Sequence, residues 1–177
     1  MKGGFTMKIV ILADTHLNKE TDMLKTLLDK LGEVDLIIHA GDYINDAVVD
    51  TLRKIPGFHG VWGNCDTAGI QNTLKEKELL TLDSYRLGIF HGHGKGKSTL
   101  DRAYAAFEND NVNIIVFGHS HQPSITTKNK VLMLNPGSPT SKRTQKWYTF
   151  ILLNLSAASI EAKLVLFDNI QALSLNP

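Results

Sequence analysis

The chain has 177 residues, 42% apolar and 21% charged, with one cysteine and a net charge of +1. That length suits one domain with its own core, and the composition excludes a wholly disordered, collagen-like or low-complexity chain. The small net charge argues against a general nucleic-acid binder, no apolar run approaches the roughly 18 residues of a membrane span, and a lone Cys65 fits a reducing, cytoplasmic setting.

Residues 1–7 read as a flexible leader, with Met7 an alternative start, and residues 8–168 as a single domain followed by a tail at 169–177. The continuous, β-branched run Lys8–Ala13 predicts a strand buried on both faces. Met23, Leu24, Leu27, Leu28 and Leu31 recur at helical spacing and predict a helix over Asp22–Leu31, with Thr21 as its cap. Asp35–His39 is a second predicted strand, Asp46–Ile55 a helix capped by Asn45, and His59–Trp62 a short third strand.

Leu79–Leu82 and Arg86–Phe90 read as a strand pair across a polar turn at Asp83–Ser84. A helix over Ser98–Phe107 and a buried strand over Asn113–Phe117 follow, then strands at Val131–Leu134, Tyr148–Leu155 and Ile160–Phe167. These last segments lack intervening helices, so they are expected to be antiparallel, and residues from Asn169 onward are expected to fray. Strand–helix alternation first and strands last is the pattern of a layered α/β sandwich.

The chemistry collects after the apolar runs. KIVILA is followed by Asp14-Thr15-His16, DLIIHA by Gly41-Asp42, HGVW by Gly63-Asn64-Cys65-Asp66, RLGIF by His91-Gly92-His93, and NIIVF by Gly118-His119-Ser120-His121. Open α/β sheets bind ligands beyond the carboxyl ends of their strands, so these five segments are expected to converge. Each alone has an ordinary explanation as a turn, a cap or a surface histidine; together they form a set of carboxylate, imidazole and amide donors. Such a set suits Mn²⁺, Ni²⁺, Fe²⁺ or Zn²⁺, with Mn²⁺ the first expectation. Asp14, His16, Asp42, Asn64, His91, His119 and His121 are too many donors for one ion. They suit two ions roughly 3.5–4 Å apart that share a carboxylate, an arrangement used for hydrolysing phosphate esters.

Two further features carry less. Gly92–Ser98 (GHGKGKS) imitates a phosphate-cradling P-loop but is one residue short of its spacing. Residues 1–122 hold 13 basic and 16 acidic side chains, a net −3, whereas residues 123–177 hold 6 and 2, a net +4. Lys142, Arg143 and Lys146 in that basic part either meet a phosphate or face solvent.

On these ordered motifs, D-x-H, G-D, G-N-x-D, a later H and G-H-x-H, the chain resembles the calcineurin-like metallophosphoesterase superfamily, and its small size and H-G-H form are similar to the YfcE-like prokaryotic phosphodiesterases. The resemblance implies a four-layer αββα sandwich with two mixed β-sheets and a dinuclear metal site at the C-terminal strand ends. It also implies that Asp14, His16 and His121 hold one metal, Asn64, His91 and His119 the other, with Asp42 bridging. The expected activity is hydrolysis of a small phosphodiester by in-line attack of a hydroxide shared between the ions. The rival is a metal-binding scaffold or protein-interaction module on the same fold, as a retromer subunit similar to this family illustrates.

The chain departs from many relatives in holding Cys65 where they hold histidine. Cys65 is either a small packing residue or a thiolate ligand, and with Asn64 it is a candidate substrate-facing residue. Asp66 is expected to orient a ligand or loop more than to act as an acid. His93 either supports the metal ligands from behind or protonates the leaving group, and His39 and His59 read as structural. Oligomeric state is open, a homo-oligomer included.

Overall fold

Ile9, Ile11 and Ala13 face one side of the first strand and Val10 and Leu12 the other, and all five are fully buried. A strand with no polar face must lie between two apolar layers. In the computed structural model, which describes residues 6–18 and 22–175, that strand is β1 (Met7–Leu12). It sits at the centre of a five-stranded sheet of order β10-β9-β1-β2-β3, whose other members are β2 (Leu36–His39), β3 (Phe58–Gly60), β9 (Tyr148–Ser156) and β10 (Ser159–Phe167). β1, β2 and β3 run parallel, and β9 lies antiparallel to both β1 and β10.

A second five-stranded sheet of order β4-β5-β6-β8-β7 is formed by β4 (Lys77–Leu82), β5 (Tyr85–Phe90), β6 (Ile114–Val116), β7 (Ser124–Lys128) and β8 (Val131–Asn135). Here β5, β6 and β8 are parallel, with β4 and β7 antiparallel at the edges.

The two sheets face each other through Ile9, Ile11, Ile38, Leu87, Ile89, Ile114, Val116, Leu134 and Ile151. Outside the first sheet lie α1 (Asp22–Leu31), α2 (Asp46–Arg53) and α3 (Ala68–Thr73), which bury Leu24, Leu27, Leu31, Val48, Val49, Leu52 and Ile70. Each fully buried leucine there contributes about 1.5–3 kcal/mol of transfer free energy. Outside the second sheet lies α4 (Thr99–Ala105), whose Ala103 packs with Phe107 on Ile115, Phe117 and Met133. The result is the four-layer αββα sandwich with two mixed sheets.

Several boundaries differ from the sequence reading for local reasons. α2 ends at Arg53 instead of Ile55, and α4 begins at Thr99 because Ser98 is its N-cap, accepting from Asp101 N. β3 covers Phe58–Gly60, with Val61 continuing only as a bridge to Lys75. β8 was expected to be antiparallel; it is antiparallel to β7 but parallel to β6, because β7 supplies the hairpin partner. β7 and α3 have no counterpart in the sequence reading: SITTK has a single aliphatic side chain and AGIQNT buries only Ile70. Of the tail expected to fray, residues 170–175 are described and pack onto the fold, and residues 176–177 lie outside the described residues. A 3₁₀ turn at Ile170–Ala172 buries Ile170 and Leu173 in the helix-side core, and Lys30 Nζ donates to Gln171 O at 3.0 Å. Residues 1–5 of the expected leader, and the Thr21 cap, lie outside the described residues. Among the described residues no helix is long and apolar enough to cross a membrane.

Candidate metal centre

Parallel β1, β2 and β3 in one sheet and β5 and β6 in the other end on the same edge of the sandwich, so their following residues meet there. The backbone is forced at this edge. Asp14, His16, Asp42, His119 and His121 all have left-handed φ, between 44° and 68°. Such non-glycine conformations cost on the order of 1–3 kcal/mol each and persist where the surroundings dictate them. The loops are stitched together: Asp14 N donates to Gly41 O at 2.9 Å, His16 N to Asp42 O at 3.1 Å and Gly118 N to His91 O at 3.0 Å.

Two glycines permit the approach. Gly41 has φ +94°, and a Cβ there would lie 2.7 Å from Gly63 N and 2.9 Å from His91 Nδ1. A Cβ on Gly118 would lie 2.7 Å from Asp14 Oδ2, the oxygen that accepts His119 N–H at 2.8 Å.

Around Asp14 Oδ1 stand three imidazoles, with Nε2 of His121 at 3.5 Å, His16 at 3.8 Å and His91 at 4.0 Å. Asp42 stands between two of the same rings, Oδ1 at 3.3 Å from His91 Nε2 and Oδ2 at 3.4 Å from His16 Nε2. Asp14, Asp42, His91 and His121 are essentially inaccessible to solvent. Their outward atoms are satisfied: His91 Nδ1 donates to Ala40 O at 2.7 Å and His121 Nδ1 to Ser141 O. Those bonds set the tautomer in which Nε2 presents a lone pair to the centre. Asp14 Oδ1 and His91 Nε2, by contrast, are buried without a hydrogen-bond partner. Buried polar atoms left so are costly unless a ligand satisfies them. Two carboxylates and three inward-facing imidazoles therefore fit divalent cations, and three-donor groups form from Asp14, His16 and His121, from Asp14, Asp42 and His91, and from His16, Asp42 and Cys65.

The electrostatics agree. Burial opposes charge on His91, yet the Asp42 and Asp14 carboxylates outweigh it and raise its pKa. Burial likewise opposes ionisation of Asp42, but His91 and the Cys65 N–H hold it well below the usual carboxylate range. Burial lowers His119 and His121. The carboxylate field that favours a proton on His91 favours a divalent ion in the proton's place.

Not every sequence-predicted residue lies in contact. His119 sits edge-on to His91, ring centroids 5.2 Å apart, and enters none of the three-donor groups. The exposed Asn64 turns its amide nitrogen to Cys65 Sγ at 3.4 Å, while Cys65 N donates to Asp42 Oδ1 at 2.9 Å and so ties this loop to the centre. Asp66 accepts backbone N–H from Asp42 (3.0 Å), Ile44 (2.8 Å) and Gly63 (2.7 Å), and thereby fixes the two loops on which Asp42 and Asn64 ride. Burial raises its pKa all the same.

His93 packs its ring 5.0 Å from Trp62, 5.2 Å from Phe90 and 5.7 Å from His91, with Nε2 3.6 Å from Glu76. Burial and then the neighbouring His91 charge lower its pKa. His39 is buried behind the centre between Thr15 and Tyr43, and His59 faces Glu78 at 3.5 Å.

The sequence reading missed the supporting residues 135–141. Asn135 Nδ2 donates to Gly118 O at 3.1 Å, Ser138 Oγ to Asp14 O at 2.7 Å and Thr140 Oγ1 to Thr15 O. The only sequence signal was the N-P-G-S run after an apolar strand, which reads as an ordinary turn.

Residues 7–158 match the calcineurin-like phosphoesterase superfamily domain. The probable metallophosphoesterase YsnB of Bacillus subtilis is 35% identical over 159 residues, covering 87% of this chain and 89% of its own. Among solved structures, a novel archaeal phosphodiesterase superposes with a TM-score of 0.68 at 20% identity, over 91% of this chain and 100% of the other. Vps29 of Chaetomium thermophilum does so with a TM-score of 0.73 at 18% identity, over 91% and 98%. At those identities the last two are likenesses of fold.

Proposed function

The chain belongs to the calcineurin-like phosphoesterase superfamily, and from that premise we propose that it is a metal-dependent phosphodiesterase. The observation that supports this most is Asp14 Oδ1, a buried carboxylate oxygen with no hydrogen bond and three imidazole Nε2 atoms within 4.0 Å. In this reading Asp14, His16 and His121 would hold one divalent ion and His91, His119 and Asn64 the other, with the Asp42 carboxylate available to both. Two ions bound there would supply Lewis acidity toward the phosphoryl oxygens and an activated water at neutral pH, with Mn²⁺ the favoured ion for this oxygen and nitrogen donor set.

The chain's own residues prepare that centre. Ala40 O and Ser141 O fix the tautomers of His91 and His121. Asp66 spends its oxygens on three backbone N–H groups and so acts as a positioning residue. His93, its ring tilted 36° against that of His91 with centroids 5.7 Å apart, packs beside it as a positioning residue.

The diester assignment comes from Cys65. Burial, and then the Asp42 carboxylate, push its thiol up to about 11, so it is neutral at neutral pH and offers no positive charge to the extra negative charge of a monoester. The Vps29 fold neighbours make a non-catalytic interaction module the alternative. Inward-facing donors serve a metal-binding module as well as a hydrolase, so turnover, and not metal binding, separates the two readings.

The test is turnover of bis(4-nitrophenyl) phosphate by Mn²⁺-loaded protein, its loss on chelation and its return with Mn²⁺. Protein that binds the ions but cleaves neither a diester nor a monoester would overturn the hydrolase reading in favour of the module.

A further inference from the structure

The loop leaving β8 is bound to the loops that carry the candidate ligands. Ser138 Oγ donates to Asp14 O, the Thr140 hydroxyl to Thr15 O, and Ser141 O accepts from His121 Nδ1, while Ser141 N returns to Ser138 Oγ at 2.7 Å. Two residues beyond Ser141, a turn closed by Gln145 N on Lys142 O at 2.8 Å holds Arg143 in the left-handed region, φ 49°. The backbone thus fixes Arg143 two residues from the carbonyl bound to His121.

The other cations of this run are committed elsewhere. Lys142 Nζ donates to Lys146 O at 3.2 Å and lies 4.8 Å above the Tyr148 ring, and Lys146 lies 4.8 Å above Trp147. Arg143 is exposed, and among the described residues its guanidinium has neither an acceptor nor a carboxylate partner. Its positive charge is felt at Cys65 in the 63–66 loop, against the burial and the Asp42 carboxylate that raise that thiol, and at His121 in the 118–121 loop. Arg143 thus leaves the turn two residues after the carbonyl that holds His121 Nδ1, as an exposed and unpaired cation on a loop bonded to the candidate ligands.

We infer that Arg143 is a substrate-binding residue that takes the non-bridging oxygens of a phosphoryl group seated at the centre. A guanidinium fork matches two such oxygens, and an unpaired arginine loses no existing salt bridge in doing so. The inference rests on the phosphoester reading of the same site and adds to it a cation, supplied by the basic end of the chain, that none of the strand-end motifs contains.

The experiment titrates inorganic phosphate into Mn²⁺-loaded protein by calorimetry, alongside diester kinetics and elemental analysis of the metal content. Arg143→Ala is expected to weaken phosphate roughly 10- to 100-fold, the loss of one charge-assisted contact, with metal content unchanged and KM raised more than kcat is lowered. Arg143→Lys should recover only part of the affinity, because a point charge replaces a fork, and Lys146→Ala should bind as wild type does. Phosphate binding that is absent in wild type, or equal in wild type and Arg143→Ala, overturns the inference, as does an equal loss in Lys146→Ala. Arg143-dependent phosphate binding without ester turnover refutes the hydrolase reading alone, and turnover untouched by Arg143→Ala refutes the arginine's role alone.

Discussion

Asp14 Oδ1 and His91 Nε2 face one another 4.0 Å apart in the buried centre, and neither has a hydrogen-bond partner. The pair joins the ends of β1 and β5, strands of different sheets, so the gap between them is also the seam of the sandwich. Two ions held there, one by the Asp14 side and one by the His91 side, would satisfy both atoms and link both sheets. Mn²⁺ at about 100 times its Kd should stabilise the fold by about 2.7 kcal/mol, roughly 5–10 °C in Tm for a chain of this size. Asp14→Asn should shrink that rise, because one of the two positions loses its carboxylate, while leaving the metal-free protein about as stable as wild type. Thermal melts with chelator and with Mn²⁺ measure both effects, and an unchanged Mn²⁺ shift in Asp14→Asn would sink the assignment.

Asp42 differs from Asp14 in facing His16 with one oxygen and His91 with the other, at 3.4 Å and 3.3 Å. Loss of its charge therefore weakens two positions together. Asp42→Asn should lower kcat/KM by several orders of magnitude and by more than Asp14→Asn, as expected when groups act as a unit. Steady-state kinetics at saturating Mn²⁺ are the check, and near-normal turnover in Asp42→Asn would remove its bridging role.

The strand ends were legible because Asp, His and Asn follow apolar runs, and a parallel sheet gathers such ends on one edge. The left-handed φ of Asp14, His16, Asp42, His119 and His121 was not legible, since nothing in D-x-H or G-H-x-H specifies it without the loops that impose it. Nor was the role of Ser138 and Thr140, whose hydroxyls reach Asp14 O and Thr15 O across more than 120 residues of chain. Short elements failed for a plainer reason. α3 and β7 bury too little apolar surface to leave a period in the sequence, and tertiary contacts decide them.

His39 gives the fold a pH dependence of known sign. Its Nδ1 accepts from Gly41 N at 3.2 Å, so the proton sits on Nε2, which donates to Thr15 Oγ1 at 3.2 Å. Burial, and then the His91 charge, lower its pKa to about 3 from 6.5. The unfolded chain binds the proton below about pH 6.5 and the folded one does not, so stability falls as pH drops from there toward 3, by up to about 1.4 kcal/mol per pH unit from this group. Urea unfolding in chelator at pH 7.5, 6.0 and 5.0 should show that decline, and His39→Gln should flatten it even though it lowers stability at pH 7.5. An equally steep decline in His39→Gln would place the effect in other histidines.

Cys65 separates diester from monoester chemistry. Its N–H is spent on Asp42 Oδ1 at 2.9 Å, and in the metal-free protein burial and then Asp42 push its thiol up to about 11, while neither thiol nor thiolate carries a positive charge. A phosphomonoester carries close to two negative charges at neutral pH, its second pKa being about 6, whereas a diester carries one. An imidazolium in this position would stabilise the additional charge and donate a proton; a neutral thiol does neither. Wild type should therefore prefer diesters. Cys65→Ser should keep most diester turnover, because its backbone N–H still reaches Asp42. Cys65→His should raise the monoester-to-diester ratio of kcat/KM. Comparing that ratio for 4-nitrophenyl phosphate and bis(4-nitrophenyl) phosphate in all three proteins under one Mn²⁺ condition decides the matter. Collapse of activity in Cys65→Ser would make the sulfur a ligand or a catalytic thiol, and a wild type faster on monoesters would overturn the substrate preference itself.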